Sequence, residues 1–146
     1  MEINYHEINQ TKSSISYLIL DSNNQQIGSA EGHVGHEELI TVIKINPEHQ
    51  KKGIGFKAFN KIYTELCLKT QISIIAGSWH KDEEFLYCEN GMSTNLSLFH
   101  DNLKAGLSKE ESAFNTPTGK WAQRIGYNKC EIKGMTSNDV YVTFYK

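Results

Sequence analysis

At 146 residues the chain has the length of one ordinary domain, enough to bury one core and too short for two. A charged fraction of 22% and a net charge of -2 leave none of the overall basic footprint typical of nucleic-acid or anionic-membrane binding. The opening MEINYHEINQ lacks a basic segment followed by an apolar one, and no apolar run approaches the ~18 residues of a membrane span. The expectation is one domain, residues 1–146, soluble and cytoplasmic, with partners that are neither nucleic acid nor membrane.

The first third reads as strands, because apolar and polar residues alternate between turn formers. Ile3, Tyr5 and Ile8 mark an opening strand, and ISYLIL a stronger second one. DSNNQQIG supplies the Asp, Ser and Asn of a hairpin turn, and a third strand follows near QIGSAEGHV. After GHEE comes LITVIKI, rich in β-branched residues and stopped by Pro47, which has no N–H for a ladder. From Ile54 to about Lys69 the period becomes helical, with Ala58, Phe59, Ile62 and Leu66 on one apolar face. ISIIAGS is then a nearly continuous apolar run, as in a buried strand. Strand, helix, strand in this order implies a right-handed crossover between two parallel strands.

The segment from His80 to Asn115 is less regular. It holds an Asn90-Gly91 turn signal, an amphipathic helix with Leu96, Phe99 and Leu103 ending near Gly106, and a capping box from Ser108 to Glu111. Thr116 and Pro117 start a further helix that Gly126 ends. YNKCEI and DVYVTFYK close the chain as a hairpin, with GMTSND between them.

Metal and thiol chemistry have little support. Cys67, Cys88 and Cys130 are odd in number and widely spaced, with no C-x-x-C pair, and read as buried or incidental thiols. The nearest histidine pair, His33 and His36, has no further clustered ligands, so no metal is expected.

HQKKGIG, residues 49–55, carries more. A tight loop entering a helix N-terminus collects orphan N–H donors at the positive end of the helix dipole, and glycines let an anion approach the backbone. Gly53 and Gly55 are so placed, with Lys51 and Lys52 adding positive charge. A glycine pair before a helix also occurs for turn reasons alone, so these residues by themselves support only a phosphate or diphosphate binder. The dinucleotide fingerprint fails, because Ala58 stands where its third glycine belongs. Walker A fails too, because Phe56 and Lys57 follow Gly55 in place of Lys-Ser/Thr.

The longer pattern fits better. A strand ending in IKINP, then Gln50-Lys51-Lys52-Gly53-Ile54-Gly55, an amphipathic helix and a second buried strand resemble motif A, Q/R-x-x-G-x-G/A, of the GNAT superfamily of acyl-CoA-dependent N-acyltransferases. WAQRIGY, residues 121–127, is similar to that family's late helix with its Gly-Phe/Tyr pair, and the final hairpin to its last two strands. The resemblance spans roughly residues 14–79 and 116–146. It implies an α+β, three-layer α/β/α fold with a mixed, mostly antiparallel sheet and a splayed parallel pair flanking the central helix. The early helices are reduced to a turn at Gln10 to Ser14, and residues 80–115 form a long insertion before the late helix.

The resemblance also implies acetyl-CoA as cosubstrate, its diphosphate on the N–H groups of Gln50, Lys51, Lys52, Gly53, Ile54 and Gly55, and its pantetheine along Ile43, Lys44 and Ile45. A primary amine would attack the thioester directly, with a strand N–H such as that of Ile43 stabilising the oxyanion. The family's leaving-group tyrosine falls five residues before Tyr127, where this chain has Ala122. That role is left to another group such as Tyr87, to water, or to nothing. For the base, Glu37 and Glu38 occupy the region of the family's fourth-strand carboxylate, one inward and one outward by alternation. His80, just past the fifth strand, is a further candidate, since imidazole is a common proton carrier near neutrality. The insertion is expected either to cover the acceptor side or to fill the space of the missing early helices. A catalytically silent acyl-CoA-binding module of the same fold is the alternative. A toxin-like acyltransferase acting on charged transfer RNA is disfavoured by the negative net charge. Monomer and homodimer are both compatible, because the last strand can pair with another chain if its edge is open.

Overall fold

The computed structural model describes residues 2–81 and 94–146, which fall into two units, residues 1–72 and 73–146. The first is an antiparallel meander of four strands, β1 (Asn4–Gln10), β2 (Ser14–Leu20), β3 (Gln26–Gly35) and β4 (Glu38–Ile45), followed by a single 3-10 turn at Pro47–His49 and helix α1 (Ile54–Cys67). The strands form where β-branched residues alternate with polar ones, and each turn uses side chains that stabilise bends. Asp21 Oδ1 accepts from the N–H groups of Asn23 and Gln25, and Thr11 Oγ1 from those of Ser13 and Ser14. The β1–β2 connection is only that turn, as the short Gln10–Ser14 spacing requires.

One face of this sheet carries α1. Ala58, Phe59, Ile62 and Leu66, the stripe read from the sequence, are buried at helical spacing, and Ile54 is buried with them. They meet Ile15, Ile19, Ala30 and Leu39, which share one side of the pleat. Gly32 is needed for this approach, since a Cβ there would lie 2.3 Å from Ile62 Cγ2. At the rim of the interface the Tyr17 hydroxyl donates to Glu65, which also pairs with Lys61 Nζ at 2.7 Å. Burial, and then the bond to Glu65, raises the Tyr17 phenol well above its ordinary range.

The second unit holds β5 (Ile74–His80), α2 (Thr94–Lys104), α3 (Lys109–Phe114), α4 (Pro117–Arg124), β6 (Lys129–Met135) and β7 (Asp139–Tyr145). β7 pairs antiparallel with both β5 and β6. The helices cover one face: Phe99 stands 6.1 Å from Trp79, and Phe114 5.4 Å from Phe144, between ring centroids. The capping box predicted at Ser108 is present, its hydroxyl accepting from Glu111 N–H at 3.1 Å. Thr116 caps α4 in the same way through Gly119 N–H at 3.1 Å, and donates to Ala113 O at 2.7 Å.

Three boundaries differ from the sequence reading. β5 begins at Ile74 and runs through His80, so this histidine ends the strand instead of following it. β6 extends to Met135, because Gly134 is accommodated by a bulge, which shortens the expected GMTSND connection. α1 stops at Cys67, two residues before Lys69. Within the 80–115 segment, Leu96 and Phe99 of α2 are fully buried, so its described part packs as core. Tyr87, Cys88 and the Asn90-Gly91 turn lie outside the described residues.

Candidate functional site

The loop between β4 and α1 is built from two left-handed residues. Lys51 has φ 62 and Gly53, the N-cap of α1, has φ 80. Alternation of right- and left-handed backbone turns successive N–H groups toward one side, a concavity suited to anions. No side chain caps the helix, and its first internal bond runs from Lys57 N–H to Gly53 O at 3.2 Å. The N–H groups of the preceding turn therefore have no intrahelical acceptor. A Cβ on Gly53 would meet nothing within 4 Å, so the glycine borders open space, and Lys51 and Lys52 are exposed beside it. These residues fit a diphosphate.

Gln50 has a different part from the one expected. Its N–H donates to Pro47 O at 3.2 Å, and its side-chain Nε2 donates to Ile45 O at 2.8 Å. Both donors brace the loop against the end of β4, so the run of N–H groups available to an anion starts at Lys51. Sequence spacing could not separate a bracing glutamine from a binding one, because the bond depends on the 3-10 turn folding the chain back.

The register of β4 places the neighbouring strand groups. Asn46 N–H donates to Ile27 O, and the β3–β4 pairs run Gly28↔Ile45, Ser29↔Lys44, Ala30↔Ile43. Hydrogen-bonded and non-bonded pairs alternate in an antiparallel ladder, so Lys44 and Val42 bond to β3 while Ile43 and Ile45 direct their peptide groups away from it. The side chains of Ile43 and Ile45 share the α1 face and are half-buried. On the opposite face a shallow cavity of about 300 Å³ is lined by Ser14, Ser16, Glu31, His33 and Ile40.

The carboxylates expected to act as base are placed elsewhere. Glu37 is not on a strand: with His36 it forms a two-residue β3–β4 turn, φ 64 and 52, the left-handed pair of a type I′ hairpin. Alternation therefore does not apply to it. Glu38 opens β4, five residues from Ile43, which at about 3.3 Å per residue is roughly 16 Å along the strand. A base must come within hydrogen-bond reach of its proton, directly or through one water.

His80 has partners that the sequence did not reveal. Its Nδ1 lies 2.5 Å from Asp139 Oδ1 and its Nε2 2.8 Å from Ser78 Oγ. Asp139 comes from β7, whose register sets it directly across from His80. A partner 59 positions away in the chain is fixed by strand pairing and has no local signal. The position of the family's tyrosine, Ala122, is fully buried, and Tyr127 is buried with it. Of the described cysteines, Cys67 is an exposed free thiol, and burial, with Glu110 beside it, pushes the Cys130 thiol up to about 11. Among the described residues no group of three metal-ligating side chains occurs, and no helix is long and apolar enough to cross a membrane.

No family model matches the sequence, and no curated protein does. Solved structures do match. An acetyltransferase of the GNAT family from Streptococcus pneumoniae aligns over 92% of this chain and 67% of its own, with TM-score 0.52 and 12% identity. The PaiA N-acetyltransferase from Thermoplasma acidophilum, solved with coenzyme A, aligns over 92% and 62%, with TM-score 0.52 and 11% identity. A GNAT superfamily phosphinothricin acetyltransferase from Sinorhizobium meliloti, solved with acetyl-CoA, aligns over 90% and 60%, with TM-score 0.50 and 12% identity. Such low identities carry the architecture and nothing finer. The chain therefore has the fold of the GNAT acetyltransferases, an α+β arrangement with mixed, mostly antiparallel strands.

Proposed function

We propose that the chain is an acyl-CoA-dependent N-acyltransferase that moves an acetyl group from acetyl-CoA to a primary amine. The observation that carries this reading is the uncapped N-terminus of α1, with left-handed Gly53 bordering open space, in a chain of this fold. In this reading the N–H groups of Lys51 to Gly55 hold the diphosphate, and the outward peptide groups of Ile43 and the N–H of Ile45 run beside the pantetheine as an added strand would. The amine attacks the thioester carbonyl directly, and coenzyme A leaves as thiolate. Among the base candidates, His80 is held in place by Asp139 and Ser78. The reaction needs no metal, and the protein works as a monomer or homodimer in the cytoplasm.

One observation favours a second reading, an acyl-CoA-binding module without catalysis: the buried Ala122 supplies no acid for the leaving thiolate. Incubation with acetyl-CoA and a panel of primary amines, read by thiol release and by product mass, separates the two. Transfer supports the enzyme. Retention of coenzyme without turnover supports the module, and failure to retain acetyl-CoA at all overturns both.

A further inference from the structure

The bonds around His80 define more than a positioned base. His80 Nδ1 and Asp139 Oδ1 lie 2.5 Å apart, and a carboxylate only accepts, so this pairing assigns a ring proton to Nδ1. In the neutral tautomer with its proton on Nδ1, Nε2 is an acceptor, and the Ser78 hydroxyl 2.8 Å away is placed to donate to it. This is the order of bonds that activates a serine: nucleophile to base, base to a carboxylate that fixes its tautomer and stabilises the imidazolium. Ser78 and His80 point to the same side of β5 because they are two residues apart on a strand, and the β5–β7 register brings Asp139 opposite His80. All three come from paired strands, so the geometry rests on backbone ladders and needs no loop to order it. That side of β5 is opposite to Trp79, which packs on α2, and His80 and Asp139 keep about half of their side-chain surface in solvent, at 48% and 55%. A small reagent can reach the hydroxyl.

We propose that Ser78, His80 and Asp139 form a nucleophilic site that accepts small acyl groups from activated esters and thioesters. Ser78 Oγ bonds to the acyl carbonyl carbon as its proton passes to His80 Nε2. The carbon–oxygen or carbon–sulfur bond of the leaving group then breaks, and the leaving group takes that proton. Water, giving its proton to His80 in turn, releases the carboxylic acid and restores the hydroxyl. The site is independent of the proposed coenzyme loop, because an aryl ester has no diphosphate to bind.

The test treats the intact protein with p-nitrophenyl acetate, follows release of p-nitrophenol, and maps the acetyl group by mass spectrometry after acid quench. The expected result is a burst stoichiometric with protein and an acetyl group on Ser78. Ser78→Ala should lose both, and Asp139→Asn should slow acylation about tenfold or more while its circular dichroism stays native. No burst in the wild type, acetylation of another residue only, or an Asp139→Asn rate equal to wild type would each overturn the proposal. The labelled position in the wild type decides the matter even if a variant fails to fold. Amine acetylation with no Ser78 acetylation would refute this site and leave the coenzyme reading intact, while the converse would do the reverse.

Discussion

Replacing Gly53 tests the coenzyme loop most directly. At φ 80 and ψ 4 the residue is left-handed, and a Cβ meets no atom within 4 Å. Gly53→Ala therefore introduces no clash, and its cost is conformational, about 1–2 kcal/mol. For a chain of this size that corresponds to a fall in Tm of roughly 2–8 °C. The effect on ligand is larger, because the methyl group occupies the space that phosphate oxygens would take. Losing two charge-assisted bonds at about 1.5 kcal/mol each weakens coenzyme A about a hundredfold. Calorimetric titration with coenzyme A, alongside ligand-observed NMR with pantetheine, measures this. Affinity for coenzyme A should drop and that for pantetheine, which lacks the diphosphate, should not. Gly53→Asn separates the two contributions, since asparagine tolerates left-handed backbone: stability should recover while coenzyme affinity stays low. Unchanged coenzyme A affinity in both variants, or an equal loss for pantetheine, would refute the loop assignment.

Other expectations concern the framework. Gly119→Ala places a Cβ 2.0 Å from Ala113 O, a backbone atom that cannot step aside, so α3 and α4 must separate; denaturant unfolding should show a loss of about 2–3 kcal/mol. Thr116→Val keeps the shape but leaves Gly119 N–H without its acceptor in a fully buried site and removes the hydroxyl's bond to Ala113 O, which still accepts from Thr116 N–H, and should cost about 2 kcal/mol by the same measurement. Glu65 gives a pH signature. Burial raises its carboxyl, but hydrogen bonds from Lys61 and Tyr17 outweigh this and hold it below its ordinary 4.5. With the folded value below the unfolded one, its contribution is complete above the unfolded value and fades as pH falls through the folded value. The stability gap between wild type and Glu65→Gln should therefore be open at about pH 6 and narrow by about pH 3; a constant gap would show that Glu65 is not held by these partners.

Local chemistry made most of the elements legible. The alternation in ISYLIL, the β-branched LITVIKI stopped by Pro47, the apolar stripe from Ala58 to Leu66 and the caps at Ser108 and Thr116 each act within a few residues, so periodicity and composition suffice to place them. Gly53 was legible as the left-handed entry to α1 for the same reason, whereas the left-handed turn at Lys51 was not. What needed tertiary structure was every relation across strands or turns. Gln50 looked like a ligand-binding residue until the 3-10 turn brought its amide onto Ile45 O. Glu37 looked like a strand residue until the hairpin took it as a left-handed corner. Asp139 carried no signal at all, because only the pairing of β5 with β7 sets it against His80. By itself the sequence determined which segments are strands and helices, since those follow from nearest neighbours along the chain. The tertiary structure alone decided which side chains meet, because register is a property of two segments and is written in neither.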